Sequence, residues 1–298
     1  RTFLSGECDY TPAVNLEQTQ AMLRRNFGTA LCRLCPQGFL QINSGRELDD
    51  PAIAGDMKVL RRCGEYAAAN NVGRTAEIAV VVDADSMKYL AFDGAYPPSG
   101  EVDRNIAWNG NVALAPRRVS TIMGDLVGYQ RDRIGRIGAP ADWILFSDLP
   151  KREMNYKFYI MLDCFQYSEE ELQAVRDKLY ASSATILWCY APGFIHDGTA
   201  DVRHMEALTG IALRTVDGAA PPRTNLVDFT MPLSDHSGTD ASFGVNYPLA
   251  PLFHVVDGDA KTIGLYQANG LVSFASKRID RAQVLFCGSN KISAGLFR

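Results

Sequence analysis

Carboxylates in loops are the first residues of this chain that could do hydrolytic chemistry. A glycoside hydrolase needs two of them, one as acid and one as nucleophile or base. Glu7 lies in a loop-like segment ahead of a helix. Active-site groups of a barrel unit lie in such loops. Glu7 is therefore a candidate catalytic residue, and a solvated loop acid is the alternative.

Four aspartates end runs that read as parallel strands: Asp83, Asp85, Asp148 and Asp163. Ligands bind at the carboxyl edge of such sheets. Acidic side chains at the same edge also cap the helices that follow. Capping is the simpler interpretation, and ligand binding stays open.

Cys189, in TILWCYAPG, is the nearest candidate for a nucleophilic thiol. In class I glutamine amidotransferases the nucleophilic Cys lies on a sharp turn after a strand and is flanked by glycines. Cys189 lies inside the strand pattern, and Tyr and Ala follow it. The base would have to come from His204 and Glu206, which face different sides of the next helix. A nucleophile needs its base within hydrogen-bond reach, so a buried core thiol is favoured.

No cofactor or metal motif is present. The turn after EIAVVVD contains no glycine, which argues against a dinucleotide-binding loop, and no Walker A pattern occurs. Among seven cysteines, Cys32 and Cys35 are the one close pair, and no second pair or nearby His completes a zinc site. We therefore expect no cofactor, no metal, and reduced thiols in the cytoplasm.

A long loop at 92–115 contains Tyr96 and Trp108. Tyr96 and Trp108 are candidate substrate-binding residues because aromatic rings stack on the apolar faces of sugars. Long loops in compact domains are often functional. The alternative is that both rings cover the domain's own core.

The bulk composition excludes several classes of partner. The 298 residues are 47% apolar and 21% charged, which is typical of a globular protein. The net charge is -4, and the basic residues are mixed with acids, so no stripe indicates nucleic-acid binding. No apolar run approaches the roughly 20 residues that span a bilayer, so no membrane partner is expected.

The N-terminal quarter reads as helix, strand and helix. Apolar residues follow a helical stripe over 16–34, FLQI reads as a short strand, and Asp50 with Pro51 starts a helix that reaches about Ala69. A lone strand cannot satisfy both of its edges. We therefore expect the chain to be a piece of a longer protein.

From Glu77 onward, strands and helices alternate. The predicted strands are EIAVVVD, WILFSD (143–148), YKFYIMLD (156–163) and ATILWCY (184–190). The predicted helices run from Pro116 to about Ile137, from the capping box at Ser168 to about Ser182, and over 199–210. This alternation predicts a parallel sheet with helices on both faces. Beyond Leu213, six short apolar runs ending in AQVLFCG read as antiparallel strands, and Ser289 or Asn290 is placed to cap a last helix.

Several of these segments resemble glycoside hydrolases similar to family 42 β-galactosidases. RTFLS, LRRNFGTALCR and the following DDP resemble the end of their (β/α)8 barrel. AVVVDADSMKYL, YKFYIMLDCFQYSEEELQAV and TILWCYAPGFI resemble their trimerisation domain, whose fold is like that of glutamine amidotransferases. The resemblance implies a C-terminal part of a (β/α)8 barrel at 1–74. An amidotransferase-like trimerisation domain would follow at 75–235, with a β-rich extension at 236–298.

The resemblance also implies a function. The fold class is α/β, a flavodoxin-like or class I glutamine-amidotransferase-like doubly wound sheet with an antiparallel extension. The chain would belong to a retaining hydrolase of β-galactoside-like sugars, forming a homotrimer and using no cofactor. The acid would lie on a barrel strand outside this chain and the nucleophile just before Arg1. The alternatives are a non-catalytic binding or assembly module and an amidotransferase-like hydrolase using Cys189.

Overall fold

The computed structural model describes residues 13–32, 35, 49–70, 72, 76–89, 121–153, 155–228 and 241–297. The chain divides into two compact units, Arg1–Thr75 and Ala76–Arg298. The predicted strand FLQI lies outside the described residues, and the predicted three-part division stays a prediction.

Two helices form the described part of the first unit, α1 (Leu16–Cys32) and α2 (Pro51–Ala69). The Asp50 side chain accepts a hydrogen bond from the Ala52 N–H at 2.8 Å, and Pro51 follows it, so the predicted helix start is confirmed. Leu23, Ile53 and Leu60 are buried between the helices. One apolar stripe on each helix is enough to form this small buried cluster.

The second unit contains the sheet. Its described strands, in chain order, are β1 (Ile78–Val82), β2 (Ala141–Leu145), β3 (Phe158–Met161), β4 (Thr185–Cys189), β5 (Ile195–His196), β6 (Thr199–Ala200), β7 (Leu213–Thr215), β8 (Thr224–Leu226), β9 (Ser242–Phe243), β10 (Phe253–Val255), β11 (Lys261–Tyr266), β12 (Val272–Ile279) and β13 (Ala282–Cys287). Nine of them form one sheet in the order β2-β1-β3-β4-β13-β12-β11-β8-β9, while β10 pairs with β7 and β5 with β6.

The first five strands of that order are parallel. Their order is that of flavodoxin-like sheets, with the change of direction between β1 and β3. Ala79, Val80 and Val81 of β1 are fully buried, as expected for a strand covered on both faces. The predicted doubly wound α/β fold class is confirmed.

The last strand corrects the sequence analysis. AQVLFCG, predicted to be antiparallel, runs parallel to β4 as β13 and antiparallel to β12. Its continuous apolar run is typical of a parallel strand buried on both faces, whereas the tight turn from β12 indicated a hairpin. The strand β13 has one parallel and one antiparallel neighbour, because it joins the parallel half of the sheet to its antiparallel extension.

The helices of the second unit carry two π-helical turns. The helix α3 (Thr121–Met123) continues through a π-helical turn (Gly124–Tyr129) into α4 (Gln130–Ile134). The helix α5 (Glu169–Ala174) likewise continues into a π-helical turn (Val175–Tyr180). The remaining described helices are α6 (Val202–Thr209) and α7 (Ala294–Phe297). The capping box at Ser168 is confirmed, since its hydroxyl accepts from the Glu171 N–H at 3.2 Å. Within the ranges given above, no helix combines the length and apolar character needed to cross a bilayer.

Two predicted helix starts are wrong. The helix predicted over 199–210 begins only after Asp201, whose side chain accepts from the Arg203 N–H at 2.8 Å, while Thr199 belongs to a β-hairpin. The terminal helix is α7, so neither Ser289 nor Asn290 caps it. The polar residues predicted to cap these helices make other contacts.

Candidate functional site at the carboxyl edge of the parallel sheet

The residues predicted for catalysis and sugar binding are Glu7, Tyr96 and Trp108. All three lie outside the described residues, so their roles stay predictions. The described chain does, however, fix the carboxyl edge of the parallel strands. That edge is where ligands bind in sheets of this order.

Asp83 and Asp163 meet at the point between β1 and β3 where the strand order changes direction. The Asp83 backbone N–H donates to the Asp163 carboxyl at 2.9 Å. The Ser86 hydroxyl donates to Asp83 at 2.6 Å and accepts from the Phe165 N–H at 2.9 Å. Asp83 is 5% exposed and Asp163 1% exposed. Sequence analysis placed both residues at this edge, and the structure brings them together.

Burial controls the ionisation of this pair. It is the main reason that the pKa of Asp163 is raised to about 7; the hydrogen bond from the Asp83 N–H lowers this pKa, and the Asp83 charge adds to the rise. Burial also raises the pKa of Asp83, against the hydrogen bond from Ser86. Two carboxyl groups that are close together and buried from water do not both ionise readily. The pair therefore holds a proton near neutral pH.

Of the other two strand-end aspartates, Asp85 donates its backbone N–H to the Asp83 carboxyl at 3.1 Å, while its own exposed carboxylate forms an ion pair with Lys88 at 3.6 Å. Asp148 forms one with Arg152 at 3.6 Å. Contacts of this kind with nearby residues are those of ordinary surface acids.

The sharp turn after β4 falls on Tyr190 and not on Cys189. Tyr190 has φ 62, in the left-handed region, and its N–H donates to the Cys287 carbonyl at 2.8 Å. A strained turn between a strand and the next segment is where α/β hydrolases present a nucleophile. Here the Tyr190 hydroxyl donates to the Pro251 carbonyl at 2.7 Å. The turn is present, but a tethered phenol occupies it.

Cys189 itself is a core thiol. It is 1% exposed, and burial raises its pKa well above the ordinary value. A reactive cysteine needs the opposite, an accessible thiol with a depressed pKa. On α6, His204 is half-buried and Glu206 is exposed, on different sides of the helix as predicted. The described residues therefore contain no amidotransferase-type nucleophile.

A second polar cluster lies just beyond β13 and was not predicted. It consists of Asp125, Tyr129, Tyr247, Asn290 and Lys291. Asp125 and Tyr129 lie on the first π-helical turn. Such turns are frequent at functional sites. The sequence signal was the dipeptide Ser289-Asn290 directly after a buried strand, and it was read as a helix cap.

The second cluster is centred on the Asp125 carboxylate. Tyr247 donates its hydroxyl proton to Asp125, and Lys291 forms an ion pair with Asp125 at 3.3 Å. The Asn290 amide nitrogen donates to the Tyr247 oxygen at 2.8 Å. Burial, and then the bond to Asp125, raises the pKa of Tyr247. The Lys291 ammonium lies 4.2 Å from the centre of the Tyr129 ring.

Neither cluster is a metal site. Within the described ranges, no three His, Cys, Asp or Glu side chains converge so as to hold a metal ion. What the edge offers is one pair of buried aspartates whose pKa values are raised by burial and one carboxylate neutralised by a cation.

The strand order defines the fold class: a flavodoxin-like, doubly wound α/β domain with a glutamine-amidotransferase-like fold. No protein-family model and no curated protein matches the chain. Among solved structures, a β-galactosidase from Bacillus circulans sp. alkalophilus aligns with 85% of this chain and 34% of its own, at TM-score 0.52 and 13% identity.

Two further β-galactosidases align more weakly. A catalytic mutant of a family GH42 enzyme from G. stearothermophilus covers 88% of this chain and 35% of its own, at TM-score 0.48 and 13% identity. An enzyme from Rahnella sp. R3 covers 83% and 34%, at TM-score 0.49 and 14% identity. The chain spans about a third of the length of the β-galactosidases it matches. The predicted resemblance to family 42 enzymes is confirmed at the level of the fold.

Proposed function

We propose that this chain is part of a retaining glycoside hydrolase acting on β-galactoside-like or related sugars. In that enzyme it supplies the edge of a (β/α)8 barrel and an oligomerisation domain. The observation that carries the proposal is the fold match to a β-galactosidase over 85% of the chain.

The chemistry would be a double displacement by two carboxylates about 5 Å apart, without a cofactor. Asp83 and Asp163 do not suit that task because both are almost fully buried and hydrogen-bonded within the domain. The acid and nucleophile would therefore come from the barrel. Glu7, Tyr96 and Trp108 remain the candidates in this chain for contacts with the sugar.

The oligomer is proposed to be a homotrimer built by the second unit. Sedimentation equilibrium of the enzyme tests this. A mass of three subunits supports the proposal, and a monomer at micromolar concentration contradicts it.

Trapping the nucleophile tests the proposed activity. The product of the whole gene is incubated with 2,4-dinitrophenyl 2-deoxy-2-fluoro-β-galactoside, and its intact mass is measured before and after. A retaining enzyme gains one fluorogalactosyl group on a carboxylate, which peptide mapping locates. A gene product of 32.7 kDa that neither gains this mass nor hydrolyses β-galactosides overturns the proposal.

The second candidate is a non-catalytic binding or assembly module. The observation favouring it is the tethered Tyr190 at the turn where a nucleophile would stand. A stable trimer that binds galactosides without cleaving them would select this alternative.

A further inference from the structure

His196 has hydrogen-bond acceptors in front of both of its ring nitrogens. Its Nδ1 lies 3.2 Å from the Tyr167 carbonyl oxygen, and its Nε2 lies 3.2 Å from a carboxylate oxygen of Glu169. A carboxylate oxygen of Asp197 lies 3.6 Å from the same Nε2. Carbonyl and carboxylate oxygens only accept hydrogen bonds, and a neutral imidazole carries a single N–H. Only the doubly protonated ring, the imidazolium, can therefore donate at both positions.

The aromatic neighbour of His196 also favours the cation. The Tyr167 ring is stacked on the His196 ring, with centroids 4.5 Å apart and planes 16° apart, and Tyr167 is 6% exposed. A cation over the face of an aromatic ring is attracted by the electrons of that face. Arg176, on the π-helical turn after α5, acts electrostatically on Tyr167 and opposes the cation, but it is exposed to solvent. Solvent screens such an exposed charge strongly.

On α6, His204 competes with His196 for the charge. The two rings meet edge to face, with centroids 5.5 Å apart. The Nδ1 atom of His204 is buried and has no hydrogen-bond partner among the described residues, so a hydrogen there would be an unpaired buried donor. Asp201 acts electrostatically on His204, but its carboxylate is paired with Arg203. Since like charges on touching rings repel each other, the geometry favours a charged His196 and a neutral His204.

The contacts of His196 hold the β5–β6 hairpin to the residues that follow β3. Each strand of this hairpin is two residues long, and residues 197–200 are exposed. A two-stranded hairpin is marginally stable by itself. The Ile195 N–H donates to the Phe165 carbonyl at 2.8 Å, next to the contacts of the His196 ring. The hairpin therefore depends on the contacts at its base to stay in place.

We propose that His196 is a pH-sensitive contact that holds the β5–β6 hairpin against the start of α5. The charged ring donates from Nδ1 to the Tyr167 carbonyl and from Nε2 to Glu169. When Nε2 loses its proton, its lone pair faces the carboxylates of Glu169 and Asp197, and the hairpin is released. Histidine ordinarily changes its charge between pH 5 and 8. The hairpin is therefore held on the acid side of this change and loosened on the alkaline side, whether or not the enzyme is a glycoside hydrolase.

NMR of the histidine rings tests where the charge lies. The ¹⁵N ring signals of the full chain are recorded at pH 6, and those of His196 and His204 are assigned by their loss in His196→Gln and His204→Gln. We expect hydrogens on both ring nitrogens of His196 and on one ring nitrogen of His204. A His196 ring with one bare nitrogen at this pH overturns the proposal.

Hydrogen exchange of the Ile195 amide tests the release of the hairpin. Its exchange rate, divided by the intrinsic rate at the same pH, measures how often the hairpin opens. In the wild type we expect opening to rise about tenfold from pH 6 to pH 8.5, the value of one lost hydrogen bond to a charged group. His196→Gln keeps a donor and does not titrate, so its opening is expected to be independent of pH. His204→Gln is expected to keep the pH dependence of the wild type.

Two neighbouring acids of α5 supply a matched pair of variants. Glu169 and Glu170 are both exposed, and Glu169 is the one that contacts Nε2 of His196. Glu169→Gln is expected to reduce the pH-dependent change about threefold, the value of an exposed ion pair, and Glu170→Gln to leave it unchanged. Opening that is independent of pH in the wild type, or that keeps its pH dependence in His196→Gln, overturns the proposal. The wild-type measurements decide the question even if a variant does not fold.

Discussion

The same edge of the sheet holds two aspartate clusters that are stabilised in different ways. Asp83 and Asp163 lie together with a hydroxyl and backbone N–H groups around them, and no cation contacts either in the described part of the chain. Asp125 has the Lys291 ammonium 3.3 Å away. Burial raises the pKa values of the first cluster and so favours its protonated form, whereas a lysine neutralises the second cluster.

This difference decides how each cluster responds to conditions. A group neutralised by a proton loses its stabilisation when pH rises through its pKa. A partly exposed ion pair changes little over the same range but weakens with salt. One edge of one sheet should therefore contain a pH-dependent and a salt-dependent element side by side.

The largest expected effect is the pH dependence contributed by Asp163. Its pKa is about 7 in the folded protein against an ordinary value of 3.8. The folded state therefore binds more protons than the unfolded state between these values. Stability is greatest below about pH 4 with respect to this group and falls by about 1.4 kcal/mol per pH unit up to pH 7. Urea unfolding at half-unit pH steps measures the slope.

Asp163→Asn is the matched variant for this slope. The amide keeps an acceptor for the Asp83 N–H and carries no titrating proton. We expect the variant to lose most of the slope between pH 5 and 7 and to be more stable than the wild type at pH 8. An unchanged slope would show that the proton is held elsewhere.

The next effect is that of Ser86→Ala. The change removes the donor to Asp83 and the acceptor of the Gln166 N–H at 3.3 Å, while the Phe165 N–H keeps its bond to the Asp163 carbonyl at 2.8 Å. Each buried group left unpaired costs about 1–3 kcal/mol, so we expect a loss in this range by urea unfolding at pH 6. Ser182→Ala is the control, because Ser182 is half-buried and its hydroxyl bonds only within its own turn, to the Leu179 carbonyl at 2.6 Å and the Ala184 N–H at 3.2 Å. A smaller loss in Ser86→Ala than in the control would contradict the role given to Ser86.

Much of the framework of both clusters follows from the sequence. The apolar run before Asp83 predicts a buried parallel strand, and Asp163 ends the third predicted strand. Since carboxyl ends of parallel strands share one edge, both residues were expected at that edge. The capping box at Ser168 was equally predictable from the sequence, because it is a local pattern that needs no tertiary contact.

The second cluster could not be predicted from the sequence, for a physical reason. Asp125, Tyr247 and Asn290 are each more than 40 residues apart, and no periodicity links them. The turn at Tyr190 was not predicted, because strand patterns do not show where φ turns positive. Antiparallel pairing was predicted for β13 because its hairpin to β12 is local, while its parallel contact with β4 is not.

Breaking the lysine pair should change the stability less than either substitution in the first cluster. Lys291→Met leaves Asp125 held by Tyr247 and Asn290 and partly accessible to water. We expect a loss of about 1 kcal/mol, as for partly exposed pairs. In the wild type this contribution should shrink between 0.05 and 1 M NaCl. A loss that is independent of salt would assign the effect to packing of the lysine stem on Tyr129.

The smallest expected effect concerns the thiols beside the first cluster. Burial, and then the charges of Asp163 and Asp83, raises the pKa of Cys164, and burial raises that of Cys189. Iodoacetamide at pH 8 should therefore alkylate the exposed Cys32 and leave both buried thiols unmodified until urea is added. Because burial is the larger cause, Asp163→Asn should not make them reactive. Peptide mapping checks this, and alkylation of Cys164 in that variant alone would show that charge, not burial, protects it.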